Sequence, residues 1–155
     1  AQEIEKIAIS STKIRNSINQ GDLETTKKYL GRFFSLTGKV VKGDGLGKQI
    51  DYPTANILIE EDYKFIPKDG VYYIRTTIDN KLYNGMMNIG HRPTIGNKAK
   101  SIEVNLFNFD RDIYDKIISV DVVVKIRDEK KFSSINALKA QLAKDQEHCL
   151  KLINK

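Results

Sequence analysis

Apolar and polar residues alternate through the middle of this chain and recur at helical spacing only towards its two ends. Residues 33–42 are rich in β-branched and aromatic side chains, with Gly38 among them, and residues 55–59, 70–78, 81–89, 101–107 and 117–127 follow suit. A period of two sends successive side chains to opposite faces, so each run predicts a strand. Asp79-Asn80 between two of the runs is a hairpin signal. No helical pattern separates the strands, which argues against a doubly wound parallel sheet. Six strands in one small chain predict a mainly β fold, an antiparallel barrel of Greek-key type, because closure removes exposed edges. Ahead of the strands, Ser10-Ser11-Thr12 offers caps for a helix over 13–20. Gly21-Asp22 breaks and recaps the chain, and a second short helix over 23–30 ends at Gly31. Few apolar residues lie in these helices, so they need another surface to pack on. At the far end Ser133-Ser134 caps an amphipathic helix over 134–153, with Ile135, Leu138, Leu142, Cys149 and Leu152 near one face.

Composition narrows the classes. The 155 residues carry 26 Lys and Arg against 20 Asp and Glu, a net charge of +6. That favours anionic partners, though a Lys-rich solvated face gives the same balance. No apolar run is long enough to span a bilayer and no leader pattern is visible, so a cytoplasmic protein is expected. The one cysteine, Cys149, excludes an internal disulfide framework and a Cys-rich zinc site.

Four segments carry candidate chemistry. In Gly43-Asp44-Gly45-Leu46-Gly47-Lys48, alternating glycines can turn backbone N–H groups towards a phosphate beside a lysine. The spacing is not that of a Walker loop, and a plain connecting loop has the same composition. In Tyr52-Pro53-Thr54-Ala55-Asn56, Thr54 and Asn56 are two apart and share one side of a strand. A hydroxyl and an amide oxygen side by side are donors that Mg²⁺ accepts next to phosphate oxygens. Residues 88–97, with two glycines, Pro93, His91, Arg92 and Thr94, predict a shaped binding loop rather than a tight hairpin. In residues 102–114 Glu103 and Asn105 occupy the face opposite Ile102, Val104 and Leu106, and Asp110-Arg111-Asp112 reads as a metal pair or an acidic turn.

Taken in order, these segments resemble the riboflavin kinase module of the prokaryotic bifunctional riboflavin kinase/FMN adenylyltransferases, the FAD synthetase family. The resemblance runs from about Phe33 onward. It rests on Gly43 to Lys48, Pro53-Thr54-Ala55-Asn56, Gly70-Val71-Tyr72, Asn88-Ile89-Gly90 with Arg92-Pro93-Thr94, Glu103, the 109–114 segment, and Arg127-Asp128-Glu129-Lys130-Lys131-Phe132. Asp51 stands where the family usually has Gly, and Ile95 where it usually has Phe. Residues 9–15 are similar to the last nucleotide-binding motif of the adenylyltransferase module. The expected organisation is therefore a remnant of that module and linker helices over 1–31, then a kinase domain over 32–155.

The resemblance implies transfer of the ATP γ-phosphoryl group to the riboflavin 5′-hydroxyl, giving FMN and ADP. It implies Glu103 as the base that takes the hydroxyl proton. Gly43, Gly45, Gly47, Lys48, Thr54 and Asn56 would meet ATP, and Thr54 and Asn56 would also hold Mg²⁺. Arg92, Thr94, Asp110, Tyr114 and Arg127 would meet the flavin. The expected partners are riboflavin or FMN and ATP or ADP, with no nucleic acid or membrane, and an adenylyltransferase module in the parent chain. Two other readings suit parts of the sequence. A non-catalytic nucleic-acid-binding barrel fits the basic charge, and a split barrel holding FMN as a redox cofactor fits the strands. Neither needs paired oxygen donors beside a glycine loop.

Overall fold

A computed structural model of the chain describes residues 2–41, 54–59, 65–94 and 97–153, with backbone alone for 2–10, 92–94 and 97–99. The elements run α1 (Gln2–Asn19), α2 (Leu23–Leu30), β1 (Phe34–Val41), β2 (Ala55–Leu58), β3 (Gly70–Ile78), β4 (Lys81–Thr94), β5 (Asn97–Leu106), β6 (Ile117–Asp128) and α3 (Ile135–Ile153). The six strands close into a barrel in the order β1-β2-β5-β4-β3-β6, every described pairing antiparallel.

Alternation fills the barrel. Leu36, Val40, Ile57, Tyr72, Ile74, Met87, Ile89, Ile102, Val104 and Val120 point inward and form one buried cluster. Residues between them on the same strands face out. On one side this outer face is covered as well, because α3 packs Leu142, Cys149 and Leu152 against Val71, Tyr73 and Met86. That double burial explains why residues 71–74 are apolar in succession rather than alternating. Asp79 and Asn80 take φ of 51° and 66°, the left-handed pair that a two-residue hairpin turn needs. Gly38 allows β1 to lie close on β2, since a Cβ there would stand 2.5 Å from the Leu58 carbonyl oxygen.

The helices follow their caps. Asp22 accepts a hydrogen bond from Thr25 N–H at 3.2 Å and opens α2, which Gly31 ends at φ 75°. Ser134 Oγ accepts from Ala137 N–H at 3.1 Å and opens α3. α2 finds its surface on the barrel, where Leu23 joins the inner cluster, and α1 packs on α2, with Ile18 fully buried and the Ser17 and Thr26 hydroxyls bonded to each other at 2.7 Å.

Two expectations are corrected. The first helix begins at Gln2, so Ser10, Ser11 and Thr12 are interior and not caps. A hydroxyl can stay in a helix by bonding the preceding turn, as Ser17 Oγ does to the Ile14 carbonyl at 2.8 Å. Residues 88–94 and Asn97 lie in strands and not in a shaped loop. β4 continues to Thr94 and β5 starts at Asn97, with Pro93 opposite Lys98. Past Ile89, β4 has no β3 partner, because β3 begins at Gly70. One free side is what admits a proline to a strand.

Candidate active site

Cross-strand register assembles the site. Asn56 of β2 lies opposite Glu103 of β5, Glu103 opposite Asn88 of β4, Asn88 opposite Val71 of β3, and Val71 opposite Arg127 of β6. Direct partners share a face, so these five side chains form one row across the outer wall. The flanking residues Ile57, Ile102, Val104, Ile89 and Tyr72 are buried inward, which turns the row towards α3.

Between that wall and α3 lies a cavity. Its lining includes Thr54, Val71, Met86, Asn88, Glu103, Asn105, Arg127, Glu129, Lys130, Phe132, Leu138 and Leu142. Val71, Met86, Phe132 and the leucines of α3 supply apolar lining, and Thr54, Asn88, Glu103, Asn105, Arg127, Glu129 and Lys130 supply polar groups. A second cavity is lined by Thr54, Ala55, Leu106, Phe109, Asp110, Arg111, Asp112, Ile113 and Tyr114. Thr54 belongs to both, so the two hollows meet at the start of β2.

The polar contacts are specific. Arg127 donates from Nε to both Asp145 oxygens at 2.9 and 3.1 Å, from Nη2 to Asp145 at 2.9 Å, and from Nη1 to the Asp128 carbonyl at 3.1 Å. Its guanidinium carbon stands 5.7 Å from the Phe132 ring centre. Glu129 stands at the rim. Loss of water around it raises its carboxyl above the usual glutamate range, Asp69 and Glu103 add to the effect, and Arg127 and His91 offset part of it. Burial and the nearby Asp145 push the Cys149 thiol up to about 12, which leaves it an inert packing group.

Asn56 Oδ1 is buried and has no hydrogen-bond partner among the described residues. An unmatched buried carbonyl oxygen costs about 1–3 kcal/mol. With the Thr54 hydroxyl two residues away it forms a hard-oxygen pair, a donor set that fits Mg²⁺. No group of three or more His, Cys, Asp or Glu among the described residues is placed to hold a metal. Asp110-Arg111-Asp112 serves as a turn: Asp112 accepts from Tyr114 N–H at 2.9 Å, and Arg111 pairs with Asp79 at 2.9 Å.

The predicted residues thus sort into groups. Thr54, Asn56, Glu103 and Arg127 come together on one wall. Asp110 and Tyr114 line the second cavity. Arg92 and Thr94 lie on the outer part of β4, of which the backbone is described. Gly43, Gly45, Gly47 and Lys48 lie outside the described residues. Sequence reasoning gave no role to Asn88, Glu129 or Asp145. Asn88 was readable only through the register that places it beside Glu103. Asp145 had a signal, a charged residue within the apolar stripe of the last helix.

Comparison with known proteins shows the family and the fold. The sequence profile of the riboflavin kinase family, flavokinase, matches residues 30–153, and the chain belongs to that family. It is 37% identical over 146 residues to the bifunctional riboflavin kinase/FMN adenylyltransferase of Bacillus subtilis, covering 92% of this chain and 46% of that protein. The protein of the same description from Buchnera aphidicola of Schizaphis graminum is 40% identical over 152 residues, covering 96% and 48%. The chain therefore spans about half the length of these relatives. Among solved structures, one from Streptococcus pneumoniae described as a macrolide-efflux protein superposes with a TM-score of 0.83 at 36% identity, covering 88% of this chain and 45% of that one. The riboflavin kinase of Trypanosoma brucei superposes with a TM-score of 0.56 at 23% identity, covering 78% and 80%, which supports the fold.

Proposed function

We propose that this chain phosphorylates riboflavin at its 5′-hydroxyl, with ATP as donor. The observation that carries the reading is Glu103 facing Asn56 across the β2–β5 pair, beside Thr54, where two cavities meet. The cavity under α3 suits the flavin, because its apolar side chains match a flat ring and its polar groups a ribityl chain. The cavity lined by Asp110 and Tyr114 suits the nucleotide, whose phosphates would then reach Thr54. This divides the flavin residues expected from the sequence: Arg127 stays with the flavin, and Asp110 and Tyr114 pass to the nucleotide.

The chemistry follows from the positions. The ribityl oxygen forms a bond to the γ-phosphorus, the bond from that phosphorus to the bridging oxygen breaks, and ADP leaves with the electron pair. The hydroxyl proton passes to the Glu103 carboxylate. An oriented base of this kind contributes roughly 10²–10⁴ in rate. Thr54 and Asn56 would hold Mg²⁺, which when bound supplies charge neutralisation at the phosphates.

No described helix is long and apolar enough to cross a membrane. A cytoplasmic site of action, where ATP is available, and a parent protein that also adenylates FMN are part of the same proposal. The named relatives support the second. The direct test is incubation of the chain with riboflavin, ATP and Mg²⁺. FMN and ADP should appear in equal amounts, and ADP formation without FMN would refute the reading.

A further inference from the structure

The last helix carries a defect in its apolar stripe. Leu138, Leu142, Cys149 and Leu152 fall at core spacing, and the position between Leu142 and Cys149 that completes the stripe is Asp145. Asp145 is 2% exposed and, with Cys149, one of the two fully buried residues described in α3. A carboxylate there loses its water, and a well-packed apolar pair in place of a buried ion pair is commonly as stable or more so. Packing alone therefore does not account for the choice.

What Asp145 does is fix one side chain. Both its oxygens accept from Arg127, and Gln141 Nε2 donates to Oδ1 at 3.0 Å, one turn earlier on α3. Arg127, the last but one residue of β6, lines the cavity under α3 and is itself 19% exposed. Of the five guanidinium N–H groups, one on Nη1 and one on Nη2 have no acceptor among the described residues. The Asp145 grip leaves those two unused on a guanidinium that lines the cavity and stands 5.7 Å from the Phe132 ring centre.

We infer that Asp145 is a positioning residue for the flavin: it orients Arg127 so that the guanidinium presents its free N–H edge to the ring, and it sets the distance between α3 and the barrel wall that the ring must fit. This role rests on the flavin reading of that cavity. It predicts a split. Loss of Asp145 weakens flavin binding and leaves the nucleotide cavity, built from β2 and the 106–114 segment, untouched.

The test measures two affinities on the full chain, riboflavin by fluorescence quenching and a non-hydrolysable Mg·ATP analogue by calorimetry. Asp145→Asn keeps the shape and removes the charge. It should raise the riboflavin dissociation constant about tenfold, about 1.4 kcal/mol, and change the nucleotide value less than twofold. Unchanged riboflavin affinity would overturn the role, and so would equal weakening of both ligands, which marks a general structural effect. If Asp145→Asn does not fold, the double variant Arg127→Met with Asp145→Leu restores an apolar pair. A folded double variant should bind nucleotide normally and flavin poorly, and wild-type flavin affinity in it would overturn the role. Wild-type chain that binds the nucleotide but no riboflavin would instead refute the cavity assignment itself.

Discussion

Asn56 and Glu129 show how single side chains are held in states that water alone would not favour. The buried Asn56 Oδ1 has no partner among the described residues, so its cost is recovered when a cation or donor arrives. Asn56→Ala should therefore leave riboflavin binding within about twofold and raise KM for Mg·ATP about tenfold or more, measured by steady-state kinetics at saturating flavin. Equal loss for both substrates would contradict the metal assignment. For Glu129 the folded-state carboxyl sits above its ordinary value of 4.5. The folded state then binds more protons than the unfolded one, and stability falls as pH rises from about 4.5 through the raised value. Glu129→Gln removes that loss, so its gain in Tm should be larger at pH 7 than at pH 4. A gain independent of pH would show that charge is not the cause. Arg127 illustrates what one sequence position hides. The resemblance proposed a flavin contact for it, but its three contacts to Asp145 join residues eighteen apart in the chain, and no local pattern encodes such a pair.

At the scale of elements, caps and turns were the legible part. Gly31, Ser134 and the Asp79-Asn80 turn do what their chemistry suggests, and α2, β3 and α3 fall within a residue of the expected bounds. The errors lie where tertiary context outweighs propensity. Residues 90–94 contain Gly90 and Pro93 and look like a loop, but β5 supplies a partner along one side and turns them into strand. The α2 cap can be measured on its own. Asp22 accepts from both N–H and hydroxyl of Thr25, which holds its carboxyl below the usual range. Asp22→Ala should lower stability by about 1 kcal/mol, read from denaturant unfolding at pH 7. The loss should shrink as pH falls through the depressed value, since Asp22 contributes only while ionised. A loss of the same size in acid would mean that packing, not the cap, was disturbed.

Across the whole molecule, closure of the barrel makes the site. The row from Asn56 to Arg127 exists only because β2 pairs with β5 while β3 pairs with β6, and a slip of one residue would turn Glu103 into the apolar interior. The β1–β2 seam is short, three described pairs from Lys39 to Val41, and Gly38 stands at its end. Gly38→Ala should force that seam apart at a cost of about 1–3 kcal/mol and reduce turnover through displacement of Thr54 and Asn56. Full stability and turnover would show that the seam does not set the site. The alternation of strands announced a barrel, and the order of motifs announced the family. The apolar stripe of the last helix announced a cover on the barrel. Nothing in the sequence revealed which wall α3 covers, or that two hollows share Thr54, because those facts depend on how separate elements pack.

The most direct measurement is turnover by Glu103→Gln with riboflavin, ATP and Mg²⁺, alongside its affinity for riboflavin. A side chain of equal size that cannot take the acceptor proton should lower kcat by roughly 10²–10⁴ while flavin binds within about twofold of normal. FMN formed at close to the unmodified rate would contradict the account.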